Sequence, residues 1–199
     1  MTESLRIVPV RGQTIAERLQ ELAQLRIRVF REFPYLYEGS EDYESAYLQT
    51  YVNAPDSVAV LVYDGEKLVG ASTALPLADE VEELRRPFEQ QGQDIERIFY
   101  CGESILLPEY RGRGIGVRFF EERERHARSL ERFDTICFCA VQRPVDHPRR
   151  PADYQPLDEF WKKRGYAPRP DLRTEFSWQD LDESSESPKP MMFWTKSLR

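Results

Sequence analysis

Leu106-Leu-Pro-Glu-Tyr-Arg-Gly-Arg-Gly-Ile-Gly-Val117 links two runs of different pattern. The run Ile98–Leu107 is apolar enough for a β-strand, whereas residues 115–132 carry apolar side chains at helical spacing. Glycine lacks the side chain that restricts backbone angles, so the alternating glycines allow a tight turn and the close approach of a ligand. The segment therefore predicts a strand, a glycine turn and an amphipathic helix in succession.

The glycine turn also has the features of an anion site. The first turn of a helix has unpaired N–H groups and partial positive charge, which favour an anion. Arg111 and Arg113 add two cations, so we interpret residues 111–117 as a cradle for a pyrophosphate. No Gly-Lys-Ser/Thr follows, which excludes a P-loop, and Val117 stands where the dinucleotide-binding fingerprint needs glycine. A purely structural glycine turn is the alternative.

Composition limits the class of protein. The chain has 199 residues, of which 40% are hydrophobic and 32% charged, as expected for a single globular domain spanning 1–199. Its net charge of −7 disfavours nucleic acid as a partner. No apolar run approaches the ~20 residues that span a bilayer, so we expect no membrane partner. The N-terminus Met1–Arg6 lacks a signal-peptide layout, and we expect a cytoplasmic protein.

The three cysteines read as reduced core thiols, because each lies in an apolar run. These are Cys101, Cys137 and Cys139. With His147 they would supply four metal ligands, but the Cys-x-Cys pair lacks the usual two-residue spacer. We therefore predict no metal.

Patterns outward from the glycine turn predict the remaining elements. An apolar stripe from Ile15 to Phe33 predicts a helix that Pro34 ends, and Ser40 can cap a second helix. The runs 57–63 and 67–75 flank Asp64-Gly65 and predict a β-hairpin.

Downstream, the continuous apolar run Thr135–Val141 predicts a strand covered on both faces, in the middle of a sheet. A short helix around residues 157–164 should end at Gly165, with strands at 174–178 and 192–198. The order β-α-α-β-β-α-β-α-β-α-β-β favours a single mixed α/β sheet.

Two motifs resemble the GNAT superfamily of acyl-CoA-dependent N-acyltransferases. The family signature Gln/Arg-x-x-Gly-x-Gly/Ala is matched by Arg111-x-x-Gly114-x-Gly116, preceded by hydrophobic-x-Pro. The segment Phe160-Trp-Lys-Lys-Arg-Gly-Tyr166 is similar to the aromatic-aromatic-x-Lys-x-Gly-aromatic segment of the family's last helix. The resemblance implies a mixed, mostly antiparallel sheet of about seven strands flanked by helices, and it covers nearly the whole chain.

The resemblance implies acetyl-CoA as co-substrate. Backbone amides of the glycine turn would hold its pyrophosphate, and the preceding strand would pair with the pantetheine arm. An N–H near Leu106 or Leu107 would polarise the thioester carbonyl. The expected cofactor-binding residues are Ile105, Leu106, Leu107, Arg111, Gly112, Arg113, Gly114, Ile115, Gly116 and Val117.

Catalytic candidates follow from direct attack by an amine, which must lose a proton. Glu103 is the predicted general base, because similar enzymes place a carboxylate on that strand; a surface or salt-bridged glutamate is the alternative. The family commonly has a tyrosine as general acid where this chain has Trp161, whose indole cannot release a proton. We propose Tyr154 as the acid or as a CoA contact, with water as the alternative.

The connection between the first two helices is the expected acceptor site. Aromatic residues interleaved with carboxylates suit an organic ammonium, and Tyr35, Tyr37 and Glu38 are the predicted substrate-binding residues. The predicted partner is a small-molecule amine, and a homodimer is possible. A protein lysine or N-terminal acetyltransferase and a non-catalytic acyl-CoA-binding module remain alternatives.

The sequence also has a loop with three arginines, at residues 143–150, and a histidine within the fourth predicted helix-forming run. Arginines of loop 143–150 could meet the 3′-phosphate of CoA or an acidic substrate group, or form a rigid surface loop. His126 is predicted to be half-exposed.

Overall fold

The computed structural model describes residues 5–199, so the first four residues of the N-terminal segment considered above lie outside the described residues. The strands are β1 Arg6–Arg11, β2 Val58–Asp64, β3 Lys67–Pro76, β4 Ile98–Leu106, β5 Thr135–Val141, β6 Ala167–Trp178 and β7 Ser187–Ser197. The α-helices are α1 Leu19–Phe30, α2 Glu41–Asn53, α3 Glu82–Gln90, α4 Ile115–Ser129 and α5 Asp158–Lys163.

The strands form one seven-stranded sheet in the order β1-β2-β3-β4-β5-β7-β6. Every neighbouring pair is antiparallel except β4 and β5, which run parallel. Those two strands pair only from Ile98↔Thr135 to Tyr100↔Cys137 and then separate. The predicted mixed, mostly antiparallel sheet is confirmed, with β5 inside it.

Helices cover both faces of the sheet. Every residue from Val58 to Tyr63 is buried, which requires a layer on each side of β2. Helices α1 and α2 contact β3, whereas α4 contacts β2, β3 and β4. No helix within residues 5–199 has the length and apolarity that crossing a membrane requires.

Local signals place the turns. The Ser40 hydroxyl accepts the Tyr43 amide at 3.3 Å and caps α2. Gly65 takes a φ of 57° in the β2–β3 hairpin, and Gly165 takes 87° after α5, both left-handed angles that favour glycine.

The first helix is shorter than predicted. Residues 12–18 form a 3₁₀ turn, and α1 ends at Phe30 rather than next to Pro34. The Phe30 carbonyl accepts the Tyr37 amide at 2.9 Å, which closes residues 30–37, including the proline, into a loop. The apolar stripe could not show this tertiary closure.

The last two strands are longer than predicted. β6 begins at Ala167 and β7 at Ser187, in stretches that contain four prolines. Prolines are tolerated at sheet edges, and β6 is an edge strand. Their presence hid the beginning of each strand from the sequence pattern.

Two side-chain predictions have different outcomes. The cysteines are all buried and free, as predicted. His126 was expected to be half-exposed but is 5% exposed, with Nε2 at 2.7 Å from the Asp56 carbonyl. The error arose because its helix is charged in sequence, whereas this side chain lies on the inner face.

Candidate active site

The glycine turn leaves backbone amides free at the start of α4. The N–H groups of residues 112–116 donate to no acceptor in the part of the chain that the structure describes. Gly112 and Gly114 have φ of 76° and 79°, which an L side chain rarely adopts. Val117, predicted to join this cradle, instead donates its amide to Gly114 at 3.1 Å. The amide cradle therefore comprises residues 112–116.

Gly116 is needed because a side chain at this position would press against Phe160, not because its backbone angles require glycine. A Cβ at this position would lie 3.3 Å from Cζ of Phe160, tighter than ordinary van der Waals contact. Phe160 begins the second family-like segment, so the two motifs meet in space. This contact fixes α5 against the first turn of α4.

The two arginines of the turn bind its own backbone. Arg111 donates to the Leu106 carbonyl at 3.2 and 3.1 Å and pairs with Glu32 at 2.8 Å. Arg113 donates to the Glu109 carbonyl at 2.9 Å. Both guanidinium groups thus add positive charge beside the amide cradle while holding its shape.

The separation of β4 from β5 exposes backbone groups of β4. Leu107, one of two predicted thioester-polarising amides, donates to the Val69 carbonyl at 3.0 Å and is not available. Successive residues of a strand direct their backbone groups to opposite sides. The Leu106 amide therefore points away from β3 into the gap, on the side where its carbonyl accepts Arg111. Ile105, also predicted to contact acetyl-CoA, is fully buried, and the same alternation directs its backbone groups toward β3.

A cavity of about 120 Å³ lies on the face of the sheet covered by α1 and α2. Aromatic residues dominate its lining, including the predicted Tyr35 and Tyr37 together with Tyr47 and Trp178. Glu38 does not line it: that side chain is exposed and pairs with Arg31 at 3.0 Å. The structure thus brings the two tyrosines to the cavity and leaves the carboxylate outside.

A buried charge cluster forms one wall of the cavity. Nη1 of Arg26 is 2.6 Å from Oε2 of Glu103, and Nε of the same guanidinium bonds Glu44. Glu44 is 0% and Glu103 is 7% exposed. Burial alone would lower the pKa of Arg26, but the two carboxylates hold it above its ordinary value. Two negative charges therefore face one permanent positive charge.

Each carboxylate keeps an oxygen without a hydrogen bond. Oε1 of Glu44 and Oε1 of Glu103 have no partner among residues 5–199, although both are buried, and Oε2 of Glu103 contacts Arg26 only as an ion pair. A buried acceptor left unpaired costs about 1–3 kcal/mol. The cluster therefore favours a ligand that brings hydrogen-bond donors and positive charge.

The cavity phenols stay protonated at neutral pH. Burial raises the pKa of Tyr35 above its ordinary value. Burial and the charge of Glu44 raise the pKa of Tyr37 in the same way. Both hydroxyls can therefore act as hydrogen-bond groups toward a bound molecule.

Tyr154 lies outside the cavity lining. Its ring packs edge-on against Phe33 with centroids 4.7 Å apart, under the Arg150 guanidinium. Burial raises the pKa of Tyr154. Its role as acid or CoA contact stays a prediction. Trp161 packs between Phe138 and Trp194, in the core.

Cys139 lines the cavity as a thiol. Its Sγ lies 3.2 Å from the Tyr100 hydroxyl, and burial raises the pKa of the thiol to about 12. A thiol is a poor nucleophile compared with a thiolate. Cys139 therefore packs as a core residue.

Loop 143–150 uses its first arginine internally. Arg143 binds the carbonyls of Pro34 and Tyr35 and pairs with Asp180. It is therefore not available for a phosphate or an acidic substrate group. Arg149 and Arg150 remain at the surface, where Arg149 is 3.8 Å from Asp182.

Two charged residues of the cavity wall escaped the sequence analysis, namely Arg26 and Glu44. A signal existed for both: each is a charge within the inner face of an amphipathic helix, beside Leu22 and Leu25 or Leu48. A charged residue in an apolar stripe is almost never buried unless paired. Pairing two such charges from different helices would have located the cluster.

In this α/β fold, β4 separates from β5, and α4 then begins with free backbone amides. Free amides at a helix N-terminus suit a phosphorylated ligand. The model of the acetyltransferase (GNAT) family matches residues 19–152. The chain belongs to the GNAT acetyltransferase family, whose members are acyltransferases that use acetyl-CoA as co-substrate.

Solved structures share the fold at low identity. An acetyltransferase of the GNAT family from Streptococcus pneumoniae has 12% identity and a TM-score of 0.59, covering 98% of this chain and 99% of that one. Arabidopsis thaliana NAA60, in complex with a bisubstrate analogue, has 16% identity and a TM-score of 0.60, with 98% of each covered.

An aminoglycoside 6′-acetyltransferase type Ii has 18% identity and a TM-score of 0.56, covering 96% of this chain and 97% of that one. No curated protein sequence matches this chain. The structural likenesses therefore establish the fold and leave the acceptor open.

Proposed function

We propose that this protein is an N-acetyltransferase that moves an acetyl group from acetyl-CoA to the amine of a small molecule. The observation that carries the proposal is the pair of unpaired carboxylate oxygens, on Glu44 and Glu103, at the wall of an aromatic cavity. An ammonium group has three donors and a positive charge, which are the features that unpaired carboxylate oxygens lack. Aromatic faces add cation–π attraction for the same group.

The size of the cavity favours a small acceptor. About 120 Å³ holds a compact amine, and residues of α1 and α2 line one side of it. The wall that carries Tyr35 and Tyr37 is fixed by backbone hydrogen bonds of the segment after α1, such as Tyr37 to Phe30 at 2.9 Å. A fixed wall gives a defined orientation to the bound amine.

The residues of the glycine turn fit acetyl-CoA. The five free amides of the cradle suit the pyrophosphate, and the gap beyond Tyr100 gives the Leu106 amide access to the acyl arm. When bound, acetyl-CoA supplies the acetyl group as a thioester. Glu103 and Glu44 hold the amine on the cavity side of β4, while the Leu106 N–H lies further along the same strand.

An amine screen tests the proposal. The purified chain would be incubated with acetyl-CoA and panels of small primary amines, amino acids and peptides with free N-termini or lysines. Free thiol release and the mass of the acetylated product would be measured. We expect turnover with one class of small amine and a rise in melting temperature with acetyl-CoA alone.

Other outcomes would replace the proposal. Turnover with peptides but not with small amines would make the chain a protein acetyltransferase. A thermal shift with no turnover on any amine would favour a non-catalytic acyl-CoA-binding module.

A further inference from the structure

A series of hydrogen bonds leads from the cavity to the buried carboxyl group of Glu80, which does not line the cavity. The Tyr47 hydroxyl, at the cavity wall, is 3.0 Å from the Tyr51 hydroxyl. The Tyr51 hydroxyl donates to Oε1 of Glu80 at 3.1 Å. Oε2 of Glu80 accepts the Val81 amide at 3.0 Å. Two tyrosine side chains therefore connect the cavity to a carboxylate that is only 4% exposed.

The hydrogens of this hydrogen-bond series have a defined direction. A phenol has one hydrogen, and Tyr51 gives its hydrogen to Glu80. Tyr47 must then donate in its contact with Tyr51, so the lone pairs of the Tyr47 oxygen are left to accept from a molecule in the cavity. Every hydrogen points from the cavity toward Glu80, which is the arrangement that carries a proton in that direction.

The backbone makes room for this series of hydrogen bonds. A Cβ on Gly102 of β4 would lie 1.9 Å from the Tyr51 hydroxyl oxygen and 2.8 Å from Oγ1 of Thr73. Any other residue at 102 would displace the hydroxyl. Gly102 is adjacent to Glu103, so the relay passes beside the carboxylate that faces the amine.

Glu80 differs from the two cavity carboxylates, because no cationic side chain among residues 5–199 pairs with it. Glu44 and Glu103 both contact Arg26, whereas Glu80 is bonded only by Tyr51 and a backbone amide. Burial raises the pKa of Glu80 to about 7, and the charge of Glu103 adds to the rise. A group with this pKa exchanges protons readily near neutral pH.

Charged and titratable groups from several elements face Glu80. They are Tyr47 and Tyr51 of α2, Arg26 of α1, Tyr100 and Glu103 of β4, and Cys137 and Cys139 of β5. The phenols and thiols stay protonated because burial raises the pKa of each. Arg26 keeps its charge at all relevant pH. Glu80 differs from these phenols and thiols, because burial raises the pKa of its carboxyl group only to about 7.

We infer that Glu80 accepts the proton of the substrate ammonium through Tyr47 and Tyr51, a role that rests on the proposed function. The ammonium gives one proton to the Tyr47 oxygen as Tyr47 passes its own to Tyr51 and Tyr51 passes its own to Glu80. The neutral nitrogen then bonds to the acetyl carbon while the carbon–sulfur bond breaks, and a second N–H proton goes to the thiolate. Glu80 returns its proton to solvent beside the exposed Val81, whose amide it contacts. Tyr47 touches the substrate; Tyr51 and Glu80 are positioning residues for the proton.

The pH dependence of turnover tests this role. Turnover at saturating acetyl-CoA and amine would be measured between about pH 5 and 9 for the wild type, Glu80→Gln and Tyr51→Phe. The wild type should lose turnover as pH falls through about 7, because protonated Glu80 cannot accept. Both variants should lose this acidic limb, and turnover at pH 8 should fall by roughly 10²-fold or more.

Controls separate the relay from folding. Asp79→Asn changes a neighbouring exposed carboxylate outside the chain of hydrogen bonds and should leave the profile intact. The thermal shift with acetyl-CoA should be unchanged in every variant, which shows that the fold survives. Turnover would also be measured in mixtures of H₂O and D₂O. Its dependence on the deuterium fraction should be curved in the wild type, where several protons move together, and linear in Tyr51→Phe.

Three results would overturn the inference. An acidic limb that persists in Glu80→Gln would leave the proposed function standing and remove the relay. Loss of the limb in Glu103→Gln, with Glu80→Gln unaffected, would return the role of base to Glu103. Absence of turnover by the wild type with any amine would remove the proposed function and the relay together.

Discussion

Arg143 and Asp180 form an ion pair through two hydrogen bonds, and this pair holds the cavity-wall segment that carries Tyr35 against the end of β6. The guanidinium nitrogens lie 2.8 and 2.9 Å from the two carboxylate oxygens, and both side chains are buried. The same guanidinium donates to the carbonyls of Pro34 and Tyr35 at 2.7 and 2.8 Å. A single buried cation therefore joins the loop after β5, the loop after β6 and the segment that carries Tyr35.

Replacement of Arg143 should lower the stability of the fold and weaken binding of the amine in the cavity. Arg143→Lys keeps the charge but cannot make the fork of hydrogen bonds to Asp180 and two carbonyls. Breaking a buried pair costs about 3–5 kcal/mol, and the lysine should retain part of it. We expect a lower free energy of unfolding and a higher KM for the amine, with KM for acetyl-CoA little changed.

The matched control is Arg149→Lys on the same loop. Arg149 is exposed and 3.8 Å from Asp182, so its replacement should leave stability and both KM values unchanged. Equal effects at the two positions would contradict the role assigned to Arg143. Chemical denaturation and steady-state kinetics measure the outcome.

The glycine turn offers a test of acetyl-CoA binding. Gly114→Ala places a side chain at a φ of 79° and should cost roughly 1–2 kcal/mol in backbone strain. Relaxation of that strain would reorient the cradle amides, so the affinity for acetyl-CoA should fall. Isothermal titration calorimetry measures the affinity.

Gly92→Ala is the control for strain alone. Gly92 also has a positive φ, of 68°, with nothing within 4 Å of an added Cβ. It follows α3, outside the cradle, so its replacement should lower stability by a similar amount and leave affinity for acetyl-CoA intact. Retention of wild-type affinity in Gly114→Ala would exclude the cradle as the phosphate site.

Glu103→Gln should weaken binding of the amine. The amide keeps the shape of the side chain but loses the charge that faces both Arg26 and the substrate ammonium. A hydrogen bond to a charged group contributes about 1.5–3 kcal/mol, so kcat/KM for the amine should fall roughly 10- to 100-fold. KM for acetyl-CoA should stay near the wild-type value.

Glu38→Gln provides the comparison, because Glu38 was also predicted to bind substrate yet lies outside the cavity. Its replacement should leave kcat/KM for the amine unchanged. A loss comparable to that of Glu103→Gln would restore Glu38 to the acceptor site.

Glu80 should make stability depend on pH. Its pKa is about 7 in the folded chain and 4.5 as an unperturbed side chain, so the folded state binds the proton more tightly. Stability from this group is fully present below about pH 4.5 and is lost as pH rises toward 7. The loss amounts to at most about 3 kcal/mol, at 1.36 kcal/mol per pKa unit.

Glu80→Gln removes this dependence because the amide is neutral throughout. The variant should gain stability relative to the wild type as pH rises from about 5 to 8. Denaturant unfolding of both proteins at each pH measures the difference. A difference that does not change with pH would show that Glu80 has no raised pKa.

Local patterns were enough for much of the framework. The hairpin at Asp64-Gly65 and the cap at Ser40 depend on contacts within a few residues, and both are present. The glycine turn is local as well, since its backbone angles and free amides belong to one short segment. The pairing of Gly116 with Phe160 has no such signal, because it joins residues far apart in sequence.

By itself, the sequence determined that an apolar strand passes through a glycine turn into a helix, because glycine angles and helix-end amides are properties of neighbouring residues. Only the tertiary structure decided the charge of the acceptor cavity. Arg26, Glu44 and Glu103 belong to three elements, and their balance depends on which buried side chains share the low-dielectric space between α1, α2 and β4. Charge interactions there act across space rather than along the chain, so no local pattern can specify that these two carboxylates share one cation or which of their oxygens stay unpaired.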